Sequence, residues 1–288
     1  MKVSRDLHRA SNFACCSSQK THHIFWLGTL VKECAITNTC LSWLVKRILG
    51  IACIGLVWQF AALLIASPDF PTCLAVLQSI YFHLSEGDMA ANLLITLNRV
   101  FISFIISMVL GVLLGVVMGT HSRVNKLADS ALIIALNIPA LVTILLCYIW
   151  LGLVESAAIA AVILNKVPTV VVMIREGARV VDQDLLAVAK VYRLSPKTTF
   201  FRVFLPQLYP YIMASARSGL SLIWKIVLVV ELLGRSDGVG FALNTQFQFF
   251  DISGILAYTC AFISIILCIE ALIFRPLDTW IARGVAHD

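Results

Sequence analysis

Six runs of about 20 mostly apolar residues leave few folds open to this sequence. A helix of that length crosses the apolar core of a bilayer, and a backbone in lipid must satisfy its own hydrogen bonds. The sequence therefore predicts an all-α membrane protein with six transmembrane helices. The predicted spans are residues 48–66, 94–119, 132–151, 156–174, 208–230 and 252–274.

Composition supports a membrane location and argues against a nucleic-acid partner. Of the 288 residues, 60% are hydrophobic and 13% charged, whereas about half of a soluble domain is apolar. The formal net charge is +6, but the basic residues are spread between apolar runs and do not cluster with aromatics. The nine cysteines form no pair of C-x-x-C units and are interpreted as small apolar fillers.

Two features predict how the spans pack together. Gly111, Gly115 and Gly119 lie four residues apart in the second span, a small-residue row that favours close contact between helices. Trp224, in the fifth span, is interpreted as a core residue rather than as a group that stacks on a substrate.

The distribution of Lys and Arg between the loops predicts the orientation. One set of loops and ends holds nearly all the positive residues, and the opposite set holds only Arg235. Because positive loops stay on the cytoplasmic side, both termini and the long loop between the fourth and fifth spans are predicted to be cytoplasmic.

That long loop, residues 176–206, is the one extended polar interval, and it predicts a helix, a turn and a second helix. Its apolar residues recur at helical spacing and are Leu185, Leu186, Ala189 and Tyr192. Ser195 and Pro196 form an N-cap and first-turn pair for the second helix, which is expected to end near Leu205 and Pro206. The predicted element has one apolar face.

The interval resembles a motif in the permease subunits of ABC importers. Members read roughly D-P-E-L-L-E-A-A-x-x-x-G-A-S and, further on, L-P. The matching residues are Asp182, Leu185, Leu186, Ala189, Ser195, Phe200, Val203, Leu205 and Pro206. The family's E-A-A here reads Ala187, Val188, Ala189, and its glycine reads Arg193. The resemblance runs from residue 92 to residue 273 and looks like the nitrate, sulfonate and taurine group.

This resemblance implies a type I ABC importer permease in a bacterial inner membrane. Such a subunit translocates a small solute, here an organic or inorganic anion. The implied partners are cytoplasmic ABC ATPase subunits, a periplasmic or lipid-anchored solute-binding protein and a second permease copy, most simply an identical one. The motif residues, with Arg193 at the turn, are implied to couple the chain to the ATPase.

Arg193 is the departure with a structural consequence. A helix often ends with a residue in the left-handed conformation, which glycine adopts freely. Arg193 is therefore expected either to bear that strain or to turn the chain differently through Leu194 and Ser195. Its guanidinium is a candidate contact for the preceding helix end or for an acidic residue of the ATPase.

Charged residues inside the spans are candidates for a translocation path, because such groups usually face a bundle interior or a wet cavity. Arg99 lies near the outer end of its span and is expected to extend its charge to the membrane surface. Arg217, Ser221 and Lys225 form one stripe on a helix, and together with Lys166 they either line an anion path or form structural ion pairs. The acidic partners for such pairs would be Glu155, Glu231 and Glu270.

The domain organisation is predicted to be simple. Residues 1–45 match no part of the family pattern and are interpreted as a cytoplasmic tail or as a start that is not native. Residues 46–288 are predicted to form the transmembrane domain.

Other functional classes fit the sequence less well. A secondary transporter or channel driven by an ion gradient is the alternative, but the six spans contain no recognisable inverted repeat. A membrane anchor for a redox enzyme would need histidines within spans for haem. The sequence contains no P-loop, H-E-x-x-H or G-x-S-x-G motif, so no catalytic residue, cofactor or metal site is predicted.

Overall fold

The computed structural model describes residues 49–50, 52–65, 67 and 69–274. The predicted tail, residues 1–45, lies outside the described residues. Every regular element in the described ranges is helical, which confirms the predicted all-α class. The backbone divides into two compact units, Met1–Cys73 and Leu74–Asp288.

The helices of the described residues vary widely in length. They are α1 (Ala52–Ile65), α2 (Cys73–Ser85), α3 (Met89–Thr120), α4 (Ser122–Asn137), α5 (Ala140–Leu151), α6 (Glu155–Arg179), α7 (Gln183–Val191), α8 (Pro196–Thr199), α9 (Leu205–Gly234), α10 (Val239–Gln248) and α11 (Ile252–Ile269). Short π-helical segments, Phe200–Phe204 and Glu270–Phe274, precede α9 and follow α11.

Within the described residues, three helices are long and apolar enough to cross a membrane. They are α3, α6 and the helix Ile252–Leu272, and the bent pair of α4 and α5 would add a fourth if it forms one span. The predicted fifth span lies within the 30-residue helix α9, and α1 is a shorter apolar helix. The predicted count of six spans stays a prediction.

The predicted third span, residues 132–151, is wrong as a single helix. Helices α4 and α5 meet at an angle of 96°. Ile138, between them, has φ −70° and ψ 124°, an extended conformation that a following proline favours for steric reasons. Pro139 therefore ends α4 and opens α5.

Close packing of α3 on α6 forms the centre of the bundle. A Cβ atom added at Gly111 would lie 2.5 Å from Val170 Cβ, and one at Gly115 would lie 2.7 Å from Ile174 Cβ, so only glycine allows this approach. This confirms the close contact predicted from the glycine row. Because the contact positions increase in residue number along both helices, α3 and α6 run in the same direction.

Helix α9 runs antiparallel to α6. Gly219 of α9 lies against Lys166 of α6, and Tyr211 of α9 lies against Gly177 of α6. The end of the bundle near Tyr211 has its own apolar core, formed by Val170, Ile174, Ala178, Val181, Phe204 and Leu208. Leu186 of α7 packs against that core.

Candidate functional site

The two short helices α7 and α8 are both capped by a side chain, and the cap of α8 by Ser195 confirms the prediction. The Asp182 side chain accepts hydrogen bonds from Asp184 N at 2.8 Å and Leu185 N at 3.4 Å. The Ser195 hydroxyl accepts one from Thr198 N at 3.2 Å. Such caps satisfy backbone donors that the first turn leaves open. We call residues 182–204 the helical hairpin.

Arg193 bears the strain at the turn of the hairpin. Its φ is 51°, in the left-handed region. Arg193 N donates to Lys190 O and Leu194 N donates to Ala189 O, both at 3.0 Å, the bond pair of a Schellman motif that usually uses glycine. The first of the two expected alternatives is therefore confirmed. In the described part of the chain, the guanidinium makes no ion pair or hydrogen bond.

The apolar residues of α7 do not form one face, as predicted, but two. Ala189 is 3% exposed, and Leu186 packs on the apolar core beneath the hairpin. Leu185 and Tyr192 point away from that core and are 48% and 76% exposed. The predicted stripe missed this division because both sets recur at helical spacing. The outer set, which we call the outer apolar face, is Leu185, Val188, Val191 and Tyr192.

The second hairpin helix does not end near Leu205 and Pro206, contrary to prediction. It continues through the π-helical turn into α9, and Leu205 N bonds to Phe200 O. Pro206 has no N–H to donate, and a wider turn just before it keeps the chain helical. The exposed Phe200 stacks on Phe204, with ring centroids 5.6 Å apart, and Phe204 belongs to the core. The second helix of the hairpin and α9 are thus one continuous helical segment.

The four candidate path residues lie on two sides of α9. Lys166 is 2% exposed and lies against Gly219, whereas Arg217, Ser221 and Lys225 are on an exposed face. Arg217 forms an ion pair with Glu270 at 3.5 Å, which confirms one of the expected structural pairs. The Ser221 hydroxyl donates to Ser218 O at 2.9 Å. The structure therefore separates Lys166 from the stripe.

Arg99 does not extend to the surface, as was predicted, but lies 2% exposed in a charged cluster. It forms two hydrogen bonds of 2.7 Å with Glu155, one of 2.9 Å with Glu231 and one of 2.6 Å with the Asp237 side chain. Its fifth N–H bonds to Asp237 O at 3.0 Å. Every donor of the guanidinium fork is used. We call Arg99, Glu155, Glu231 and Asp237 the Arg99 cluster.

The Arg99 cluster joins α3, the start of α6, the end of α9 and the turn before α10. Glu231, fully buried, also accepts bonds from Thr96 Oγ1 at 2.9 Å and Gly240 N at 2.8 Å. The three acidic residues of the Arg99 cluster lie 56 to 138 residues from Arg99 along the chain. No local pattern links residues so far apart. The sequence therefore indicated Glu155 and Glu231 only as partners of other cations in the spans, and it did not indicate Asp237.

Comparison with known proteins identifies similar chains. The family model described as "Binding-protein-dependent transport system inner membrane component" matches residues 107–277. A putative aliphatic sulfonates transport permease protein of Escherichia coli (strain K12) is 33% identical over 193 residues, 66% of this chain and 73% of that protein. A nitrate import permease protein of Synechocystis sp. is 32% identical over 87 residues, 30% of this chain and 32% of that protein.

A solved structure shares the fold. It is described as the crystal structure of an amino acid ABC transporter with histidines, and it superposes with a TM-score of 0.55 at 19% identity. The match covers 68% of this chain and 93% of the other. At this identity the likeness concerns the backbone arrangement alone.

Proposed function

Since the chain belongs to the family of inner membrane components of binding-protein-dependent transport systems, we propose that it carries a small anion through the membrane. The family consists of permease subunits of ABC importers, which work with ATPase and solute-binding partners. ATP-driven import fits this family, and a gradient-driven transporter is not favoured. The anionic solute is the finer part of the proposal, and the observation that carries it is the buried cation Lys166.

The named relatives support an anion as the solute. One is named for aliphatic sulfonates and another for nitrate, and both substrates are oxyanions. Vesicles containing this permease with its ATPase and binding protein should accumulate ethanesulfonate or nitrate when ATP is supplied, and should exclude choline. Uptake of choline alone, or anion uptake that does not depend on ATP, would contradict the proposal.

The helical hairpin is the proposed docking element for the ATPase. Its outer apolar face is unusual on a charged loop, and exposed apolar residues of this kind are suited to a groove on a partner. Its inner residues, Leu186 and Ala189, are packed on the bundle, and its second helix continues into α9. A force applied to the outer face would therefore reach α9 through the packing of α7 and through the second helix of the hairpin.

The docking proposal is tested with a matched pair of leucines. Leu185→Asp places a charge on the outer apolar face and should abolish co-purification of the ATPase. Leu127, on α4, is 84% exposed and lies next to a loop of the same predicted cytoplasmic side, so Leu127→Asp serves as the control and should retain the ATPase. Equal retention by both variants would exclude the outer face as the docking surface.

A second copy of the chain is the proposed neighbour of the exposed stripe on α9. Arg217 and Lys225 would be costly against lipid, so this face needs water or protein beside it. A polar path between two copies meets that need. Ser221→Cys should react with a charged, water-borne thiol reagent, whereas Ile263→Cys on the exposed apolar face of α11 should not. If neither cysteine variant reacts, water does not reach the stripe, and the proposed path is contradicted.

The helix directions support the order of crossings in the proposed topology, and the assignment of both termini to the cytoplasm rests on the Lys and Arg asymmetry. Two parallel spans, α3 and α6, need one return crossing between them, and the bent pair of α4 and α5 occupies that place in the chain. Antiparallel α9 then returns to the side opposite the hairpin. Reporter fusions after Asp288 and within residues 87–90 should report opposite sides. Fusions that report one side would rule out six spans.

A further inference from the structure

Two buried serines on α3 lack the hydrogen bond that comparable hydroxyls make. The Oγ atoms of Ser103 and Ser107 are buried and have no partner among the described residues. By contrast, Thr120, Thr259 and Ser264 each donate to the carbonyl four residues earlier, at 2.8, 2.7 and 2.8 Å. That carbonyl is a common acceptor for a serine or threonine hydroxyl inside a helix. The two serines of α3 therefore have hydroxyls free to bind something else.

The packing register brings these serines to the level of Lys166. Gly111 packs against Val170 and Gly115 packs against Ile174. A shift of four residues along α3 therefore corresponds to a shift of four residues along α6. One step back from Gly111 sets Ser107 opposite Lys166. A second step back brings Ser103 to Val162, and these two residues do line the same small gap between helices. Lys166 and the two serines are thus consecutive along one interface.

Lys166 is also without a partner. Its side chain is 2% exposed, and no residue in the described ranges forms an ion pair or hydrogen bond with its ammonium group. Helix α9 leaves room for this group, because a Cβ atom at Gly219 would lie 2.8 Å from Lys166 Cε and 3.3 Å from Nζ. The ammonium, beside Gly219 of α9, and the two hydroxyls, on the face of α3 toward α6, thus lie at neighbouring levels of the bundle without an acceptor among the described residues. Buried donors usually have an acceptor.

Close packing alone does not explain the serines. Ser103 and Ser107 continue the small-residue row of the three glycines, and alanine would allow a similar approach without leaving a buried hydroxyl unpaired, which is unfavourable. What remains to be explained is the hydroxyl groups themselves. An acceptor that visits the site would explain both hydroxyls and the ammonium together.

We propose that Lys166, Ser107 and Ser103 bind the oxyanion head of the transported solute during its passage, and that Gly219 keeps space for the ammonium. This inference rests on the proposed function, because it names a binding site for the same solute. An ammonium and hydroxyls donate to the oxygens of a sulfonate or nitrate, and bonds to a charged acceptor are the stronger class. The site lies in the middle of α3 and α6, between the Arg99 cluster and the hairpin.

Direct binding tests the site apart from the rest of the transport cycle. Purified permease with its ATPase, without the solute-binding protein, is titrated with radiolabelled ethanesulfonate and with nitrate. Ser107→Ala should raise the Kd roughly ten-fold, the effect of losing one hydrogen bond to a charged group. Ser264→Ala, whose hydroxyl is already bonded within α11, is the matched control and should bind as the unaltered chain does.

Gly219→Ala gives a second, independent variant. Its methyl group meets the flexible end of Lys166 rather than backbone, so the protein should fold with unchanged thermal stability while anion binding weakens. If the unaltered complex binds anion and Ser107→Ala and Gly219→Ala bind it equally well, the inference is overturned while the importer function stands. Complete transport vesicles that move no anion would instead refute the proposed function.

A third outcome would also overturn the site. If vesicles with the binding protein take up anion but the purified permease complex binds neither ethanesulfonate nor nitrate, the donors do not form a solute site. Loss of thermal stability in Ser107→Ala with unchanged Kd would point to a bridging water and contradict the proposal as well.

Discussion

Arg99 and Lys166 are equally buried cations in one helix bundle, yet their surroundings are opposite. Each is 2% exposed. Arg99 bonds to Glu155, Glu231 and Asp237 through all five of its N–H groups. Lys166 has no such partner among the described residues. The same degree of burial therefore accompanies a fully satisfied charge in one place and an unsatisfied charge in the other.

The difference separates a structural role from a functional one. Removing one partner of a buried ion pair is costly, because the other charge stays buried and uncompensated. Removing an unpaired buried cation leaves no such charge behind. The Arg99 cluster should therefore stabilise the packing of α3, α6 and α9 at their ends. Lys166 should contribute to binding and transport of the solute more than to the stability of the fold.

Arg99→Met should have the largest effect on stability. It leaves the fully buried Glu231 without its cation, whereas Glu155 and Asp237 keep the ion pairs with Arg235. Breaking a buried pair costs about 3–5 kcal/mol. We expect little folded protein in detergent extracts, measured by size-exclusion chromatography. Arg99→Lys keeps the charge but lacks the planar fork that bonds several partners at once, so it should recover only part of the loss. Normal yield of Arg99→Met would contradict a structural role for the cluster.

Glu231→Gln should have a smaller effect, because Arg99 retains Glu155 and Asp237. The amide keeps one acceptor oxygen for its three bonding partners and loses the charge. A lost bond to a charged group costs about 1.5–3 kcal/mol, so thermal unfolding should occur at a lower temperature than in the unaltered chain but above that of Arg99→Met. A loss equal to that of Arg99→Met would show that Glu231 is the indispensable member of the cluster.

Arg193→Gly should have the smallest effect, and in the opposite direction. Relief of the left-handed strain is worth roughly 1–2 kcal/mol, and the greater freedom of glycine in the unfolded chain offsets about half of it. Thermal stability should stay the same or rise slightly, and the ATPase should still co-purify. Clear loss of ATPase binding would mean that the exposed guanidinium is a partner contact.

The sequence predicted what depends on neighbouring residues. The cap at Ser195 and the close approach at Gly111 follow from residue type and spacing, and the structure has both. Pro139 could have been recognised as a break in the third span, because proline restricts the residue before it. The length of the apolar run around it favoured a single helix instead.

The sequence failed where distant segments decide the outcome. Arg99 was expected at the surface because its partners come from chain segments up to 138 residues away. The division of α7 into an inner and an outer apolar face depends on where the core containing Phe204 lies. Likewise, the π-helical turn that carries the helix through Pro206 depends on the packing around it, which residue spacing does not reveal.

The most direct test of this account measures stability and transport together for Lys166→Met and Arg99→Met. Both variants replace a buried cation with an apolar side chain of similar length. For Lys166→Met, thermal stability should equal or exceed that of the unaltered chain, since burying an unpaired charge is unfavourable, while ATP-driven uptake of ethanesulfonate in vesicles is lost. For Arg99→Met, stability and uptake should fall together. The account would be contradicted if Lys166→Met lost stability as Arg99→Met does, or if it kept normal uptake.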